Sequence, residues 1–226
     1  MDFFLDSTDF EEIRRLNQIG IIDGLTTNPS LIYKAKTPFD QLINNLCSEI
    51  KGPVSVETVA ENSEQMINEG IKISKMAKNI VVKLPMTWEG IKACKQLSEM
   101  SIKTNVTLCF SSSQAILAAK AGATYISPFI GRLDDANVDG VQLIREIKLI
   151  FSHYNYETKI LAASIRTKNH VTQSALAGAD VPSALTAAVL ILFLLLQLLL
   201  VITMIAHAAE NCVMIYSRLY AAQSVQ

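Results

Sequence analysis

Little in this chain points to a disulfide scaffold, nucleic-acid binding or secretion. Its 226 residues include only four cysteines, Cys47, Cys94, Cys109 and Cys212, none in a CxxC spacing and all in apolar surroundings. The economical reading is reduced, buried thiols in a cytosolic protein. His153, His170 and His207 form no ligand cluster with those cysteines, so no metal centre is expected. Acidic and basic side chains nearly cancel, at a net charge of −1, and they are intermingled. Without a basic stripe or an arginine-rich arm, a nucleic-acid partner is not expected. The opening Met1-Asp2-Phe3-Phe4-Leu5-Asp6 has no basic region followed by a long apolar core, so no secretory signal is expected. No GxGxxG follows the first apolar run, which weighs against a dinucleotide fold.

One further absence is local. From Val181 to Ala209 there is no Asp, Glu, Lys or Arg, and the stretch contains a leucine-rich run over residues 187–206. The chain therefore divides into a body, 1–181, that reads as a soluble protein, and an atypical apolar tail, 182–226. The run is long enough to cross a bilayer, since about 20 apolar residues suffice. It could equally supply the last helix of the body, apolar all round because neighbouring subunits cover it. A third reading is foreign sequence from a shifted reading frame, which fits the abrupt loss of charge.

What is present is a repeat. Apolar or β-branched runs alternate with amphipathic stretches. The strand candidates are Phe3–Asp6, Gly24–Asn28, Val54–Thr58, Ile80–Leu84, Thr104–Phe110, Thr124–Phe129 and Lys159–Arg166, with Ala179–Ala184 available as an eighth. The helix candidates are Asp9–Ile19, Phe39–Ile50, Ser63–Ala77, Glu89–Met100, Ser112–Ala121, Val138–Phe151 and Lys168–Ala177. Gly122 and Gly178 fall where helices should end. Lys72, Lys75 and Lys78 read as a solvated helix face. Repeated βα units with near-continuous apolar strands imply a parallel sheet covered by helices. Seven or eight units in this length favour a closed (β/α)8 TIM barrel.

In such a barrel, chemistry collects at the C-terminal strand ends. Polar residues fall there with regularity: Asp6, Thr26 and Asn28, Glu57, Lys83, Asn105 and Thr107, Ser127, then Ser164 and Arg166. The pairs Thr26/Asn28, Asn105/Thr107 and Ser164/Arg166 are two apart, so each pair should share one face of its strand. Lys83 stands out, because its ammonium lies inside the apolar run Ile80-Val81-Val82-Lys83-Leu84. Burying that charge is costly, and a neutral amine is a nucleophile towards carbonyl carbon. Each residue also has a plainer reading. Lys83 could snorkel to water, Asn28 could cap the helix after Pro29, and Asp6 could cap the first helix. Glu57 could be a surface carboxylate, Ser127-Pro128 a turn, and Arg132 and Arg166 ordinary surface guanidinium groups. Together, though, so many polar groups at matching strand ends suit a substrate with many hydroxyls.

Seven segments carry a family resemblance: Phe4-Leu5-Asp6-Ser7, Gly24-Leu25-Thr26-Thr27-Asn28-Pro29-Ser30-Leu31, Val54-Ser55-Val56-Glu57, Val81-Val82-Lys83-Leu84-Pro85, Asn105-Val106-Thr107-Leu108, Ile126-Ser127-Pro128-Phe129-Ile130-Gly131-Arg132 and Ala162-Ala163-Ser164-Ile165-Arg166. In this order and spacing, the chain resembles the small class-I transaldolases and the related fructose-6-phosphate aldolases from Met1 to about Val181. The resemblance implies a barrel that forms a Schiff base through Lys83, with Asp6 as general base. It implies that Glu57 and Thr107 position a water for proton transfers. Asn28, Asn105 and Ser127 would hold the hydroxyls of a three-carbon fragment, with Thr26 in support, and Arg132, Ser164 and Arg166 would hold a phosphate. Sugar phosphates are the implied ligands, without a metal or organic cofactor, in a cytoplasmic homo-oligomer. The aldolase branch usually carries Gln at the position of Glu57 and Tyr at that of Phe129, so this chain sides with the transaldolases. The tail after Val181 departs from the family pattern, and a membrane-associated or misassembled, inactive protein is the contrasting expectation.

Overall fold

The computed structural model describes residues 1–185. Its eight strands are β1 (Phe4–Asp6), β2 (Gly24–Thr26), β3 (Val54–Glu57), β4 (Ile80–Pro85), β5 (Thr104–Cys109), β6 (Tyr125–Pro128), β7 (Lys159–Ile165) and β8 (Val181–Leu185). They pair in parallel, in chain order, and β8 returns to β1 through Phe4↔Ser183, Leu5↔Ala184 and Asp6↔Leu185, closing the barrel. The expected (β/α)8 architecture is thus present. β8 extends past Val181, beyond the body boundary that the loss of charge suggests. The apolar run 187–206 and the three readings of the tail lie outside the described residues. Among the described residues, no helix is long and apolar enough to cross a membrane.

The helices that cover the barrel are α1 (Phe10–Asn17), α2 (Pro29–Lys34), α3 (Phe39–Glu49), α4 (Ser63–Ser74), α5 (Trp88–Glu99), α6 (Ser112–Lys120), α7 (Ile130–Asp135), α8 (Gly140–Tyr154) and α9 (Lys168–Leu176). Their starts follow from side-chain caps. Asp9, Asn62, Thr87, Ser111, Asp139 and Thr167 each accept from a backbone N–H of the first turn, satisfying donors that the helix itself cannot. The Asp139 cap sets the start of α8 at Gly140 rather than Val138, and Asn155 in the left-handed region, at φ 54°, stops it after Tyr154. Gly122 and Gly178, at φ 87° and 90°, end α6 and α9 as expected. Lys72, Lys75 and Lys78 are all exposed.

The Asn28-Pro29 start marks α2 in the sequence, whereas nothing there marks α7. α2 and α7 are six residues each, too short for a helical period to show against the strands they follow. Both sit immediately after a strand end and so shape the barrel mouth.

Strand alternation builds the interior in layers. Phe4, Val81, Tyr125, Leu161, Ala163 and Val181 form a buried apolar cluster, with the Phe4 and Tyr125 rings 5.9 Å apart. Two residues further along the same strands come Asp6, Lys83, Ser127 and Ser183, so a polar tier sits on an apolar floor. The register shifts in two places, β5 against β6 and β7 against β8. At those irregularities Leu108 and Ser164 adopt φ of 62° and 60°, a left-handed conformation that L-residues seldom take.

Candidate active site

The polar tier opens into a cavity of about 620 Å³, a size suited to a small organic ligand. Every candidate site residue lines it except Asn105. Glu57 and Lys83 are direct neighbours across β3 and β4, which brings Glu57 Oε2 within 3.0 Å of Lys83 Nζ. Lys83 Nζ also donates to the Thr27 carbonyl at 2.8 Å. The lysine does not snorkel: it is 5% exposed, and its amine faces the cavity rather than bulk water.

Asp6 does not cap α1, which Asp9 does. Its Oδ1 instead accepts from Thr26 Oγ1 at 2.9 Å, and Thr26 Oγ1 lies 2.6 Å from Ser183 Oγ. Since the Thr26 proton goes to Asp6, Ser183 is the donor in the second bond. Burial pushes the Asp6 carboxyl above its ordinary pKa of 3.8, and the nearby Glu57 charge pushes the same way. The Lys83 charge and the Thr26 bond oppose that rise. A carboxylate of raised basicity beside a lysine is suited to taking a proton.

Thr107 Oγ1 is buried yet has no hydrogen-bond partner among the described residues, and it lines the cavity. An unmet hydroxyl there is free for a water or a ligand. Asn28 does both things its position allows: it caps α2 by accepting from Leu31 N at 3.0 Å, and it lines the cavity. Ser127 lines the wall and donates to Asn105 Oδ1 at 2.7 Å. Asn105 itself is fully buried behind Ser127 and donates to Ser55 Oγ at 3.2 Å. Alternation correctly turns Asn105 inward but does not reveal its depth; here it orients Ser127.

Arg132, Ser164 and Arg166 gather at one side of the mouth. The Arg132 guanidinium lies 5.3 Å from the Phe129 ring centroid, a cation–π contact, and Phe110 meets that ring edge-on at 6.0 Å. The expected two-residue alternation of Ser164 and Arg166 is broken, because Ser164 is left-handed and β7 stops at Ile165. Both still line the cavity. Gly131 makes their approach possible: a Cβ there would lie 2.1 Å from the Ser164 carbonyl and 2.8 Å from Arg166 Cγ. Two arginines and a serine converging in this way can bind an oxyanion such as phosphate.

Ser30 and Ser183 are the polar lining residues absent from the sequence-based candidates, and Ser183 is the one bonded into the polar tier. Its signal was available, two residues beyond Val181 on an inward-facing alternation, but masked by the adjoining apolar run. None of the described thiols lines the cavity; Cys94 and Cys109 are buried as expected, whereas Cys47 is only half-buried. Burial pushes Cys47 and Cys109 up to about 11 and raises Cys94 as well, as befits inert packing groups.

Comparison with known proteins identifies the family. The chain matches the family model described as Transaldolase/Fructose-6-phosphate aldolase over residues 3–197. It is 55% identical to a "Probable transaldolase" of Dinoroseobacter shibae, 56% to one of Rhizobium meliloti and 57% to one of Hyphomonas neptunium. Each alignment covers 81% of this chain and 85% of the relative. Among solved structures, a thiamine phosphate pyrophosphorylase from Pyrococcus furiosus superposes with a TM-score of 0.56 at 15% identity, over 82% of this chain and 86% of that one. At that identity the likeness is one of fold alone. The matched segment contains the whole polar tier and both mouth arginines, and the chain belongs to the transaldolase/fructose-6-phosphate aldolase family.

Proposed function

We propose that this protein is a transaldolase that moves a dihydroxyacetone unit from a ketose phosphate to an aldose phosphate through a Schiff base on Lys83. The observation that carries this reading is the buried Lys83 amine, open to the cavity, with the Glu57 carboxylate 3.0 Å away. A lysine so placed is a nucleophile for a ketone and, as an iminium, an electron sink.

The reaction begins with loss of a proton from Lys83, for which Glu57 is within reach. The amine adds to C2 of fructose 6-phosphate or sedoheptulose 7-phosphate. Glu57 and the unpartnered Thr107 hydroxyl hold the water that carries protons to and from the carbinolamine, which loses water to give the iminium. Asp6 takes the proton of the C4 hydroxyl. The C3–C4 bond then breaks, its electron pair passing to the iminium nitrogen, and the aldose phosphate leaves. The enamine that remains attacks a second aldose phosphate, such as erythrose 4-phosphate, and hydrolysis frees the new ketose. Asn28 and Ser127 hold the three-carbon fragment, Thr26 orients Asp6, and Arg132, Ser164 and Arg166 hold the phosphate.

Transfer is favoured over simple cleavage by Phe129. The ring lines the cavity and offers no hydroxyl to activate water against the enamine. The same reading gives a cytoplasmic, homo-oligomeric enzyme of the non-oxidative pentose phosphate pathway that uses no metal or organic cofactor.

Borohydride reduction with fructose 6-phosphate should fix a three-carbon adduct on Lys83, read by peptide mass spectrometry. Lys83→Met should abolish both adduct and turnover; turnover that survived it would overturn the reading. Free dihydroxyacetone appearing equally fast with and without erythrose 4-phosphate would instead identify an aldolase.

A further inference from the structure

We infer that Asp135 is a positioning residue for the phosphate end of the substrate, acting through Arg166. This inference rests on the proposed phosphate role of that arginine. Arg166 follows the end of β7, and its side chain is about half exposed, so nothing in the strand fixes where its guanidinium points. Two outside groups hold the residue, one on its guanidinium and one on its main chain. Asp135, the last residue of α7, accepts from Arg166 Nη2 at 2.6 Å. His170, on α9, accepts the Arg166 backbone N–H on Nδ1 at 3.3 Å.

His170 is itself held. Its Nε2 lies 2.8 Å from Asp134 Oδ2, while Asp134 Oδ1 accepts from Gly140 N at 2.9 Å. Asp134 and Asp135 thus reach from one short helix to the main chain and the side chain of a single arginine. Gly131, on the same helix, lies under Arg166 Cγ and Nε.

Asp135 does not line the cavity, whereas Arg166 does. The carboxylate therefore holds the guanidinium from outside. It engages one terminal nitrogen, and the guanidinium has five N–H donors, so the rest remain for phosphate oxygens. A group that competed with phosphate would sit inside the cavity and occupy the inward face of the fork. Asp135 does not line the cavity, which favours support over competition. Its contribution should thus appear only when the substrate carries a phosphate.

The test is steady-state kinetics of the full chain at saturating fructose 6-phosphate, with erythrose 4-phosphate or unphosphorylated erythrose as acceptor. Asp135→Asn should raise KM for erythrose 4-phosphate by about fivefold, the scale of one lost exposed ion pair. It should leave kcat, and kcat/KM for erythrose, within about twofold, and Asp135→Glu should restore most of the loss. A fall in KM would mean that Asp135 competes with phosphate, and an equal loss with both acceptors would mean a general structural role; either overturns the inference. Arg166→Met separates the two levels of the argument. If it costs about a hundredfold with erythrose 4-phosphate alone while Asp135→Asn changes nothing, Arg166 binds phosphate without help from Asp135. If Arg166→Met does not discriminate between the acceptors, the phosphate assignment itself is wrong.

Discussion

The Asp6 carboxyl shows how a residue built for chemistry burdens the fold that holds it. Burial raises its pKa above 3.8 in the folded state, so the folded protein holds that proton more tightly than the unfolded chain. The associated stability is complete below the unfolded pKa and is lost as pH rises through the folded value. Asp6→Asn cannot ionise, yet keeps an oxygen to accept from Thr26. It should therefore resist urea better than the parent at about pH 7, with the advantage shrinking towards about pH 3. Turnover should move the opposite way. It should disappear in the variant, and in the parent its acid limb should lie above the ordinary aspartate value of 3.8, because the proposed general base must be ionised to act. Paired urea titrations and a pH–rate profile measure both. Much at this scale is legible in sequence, since Lys83 in an apolar run and Asp6 at a strand end announce themselves. What spacing conceals is partnership. Glu57 reaches Lys83 by strand register, and Asp135 reaches Arg166 across 31 residues of sequence separation.

Elements place these residues by departing from regularity. β5 and β7 each break register near the mouth, and each break carries a left-handed L-residue, Leu108 or Ser164. Such a conformation costs about 1–2 kcal/mol for a residue with a Cβ. Ser164 spends that energy to turn the end of β7 towards α7, where Gly131 accommodates its carbonyl. Ser164→Gly should consequently fold as stably as the parent, relief of strain offsetting the greater freedom of glycine when unfolded. Ser164→Val should lose about 2 kcal/mol or more, a β-branched residue being least tolerant of positive φ. Denaturant midpoints decide it. The sequence reads the eight strands and seven of the helices because their periods are long enough to register. It marks α2 only through the Asn28-Pro29 start and is silent on α7, since six residues span fewer than two turns. It is silent too on the positive φ of Ser164, since only glycine or asparagine would have signalled it.

The molecule as a whole depends on its closing strand. β8 lies between β7 and β1, and through Ser183 it also reaches the Asp6–Thr26 pair. A chain cut after Asp180 would leave β1 and β7 with unpaired edges and the apolar cluster without Val181. It should show no cooperative urea transition, bind a hydrophobic dye and form no borohydride adduct; a cooperative transition would show that seven strands suffice. The barrel itself is legible from the repeat of βα units, because alternating apolar runs and amphipathic stretches have few other compact arrangements. The order of assembly is a different matter. Asp6 and Thr26 leave the ribosome early, and Ser183, which polarises them, emerges 157 residues after Thr26. Most of the nascent polypeptide is therefore made before the Asp6–Thr26–Ser183 arrangement can exist. On the proposed reaction, a sugar would meet a competent amine only once synthesis has supplied the last stave of the barrel.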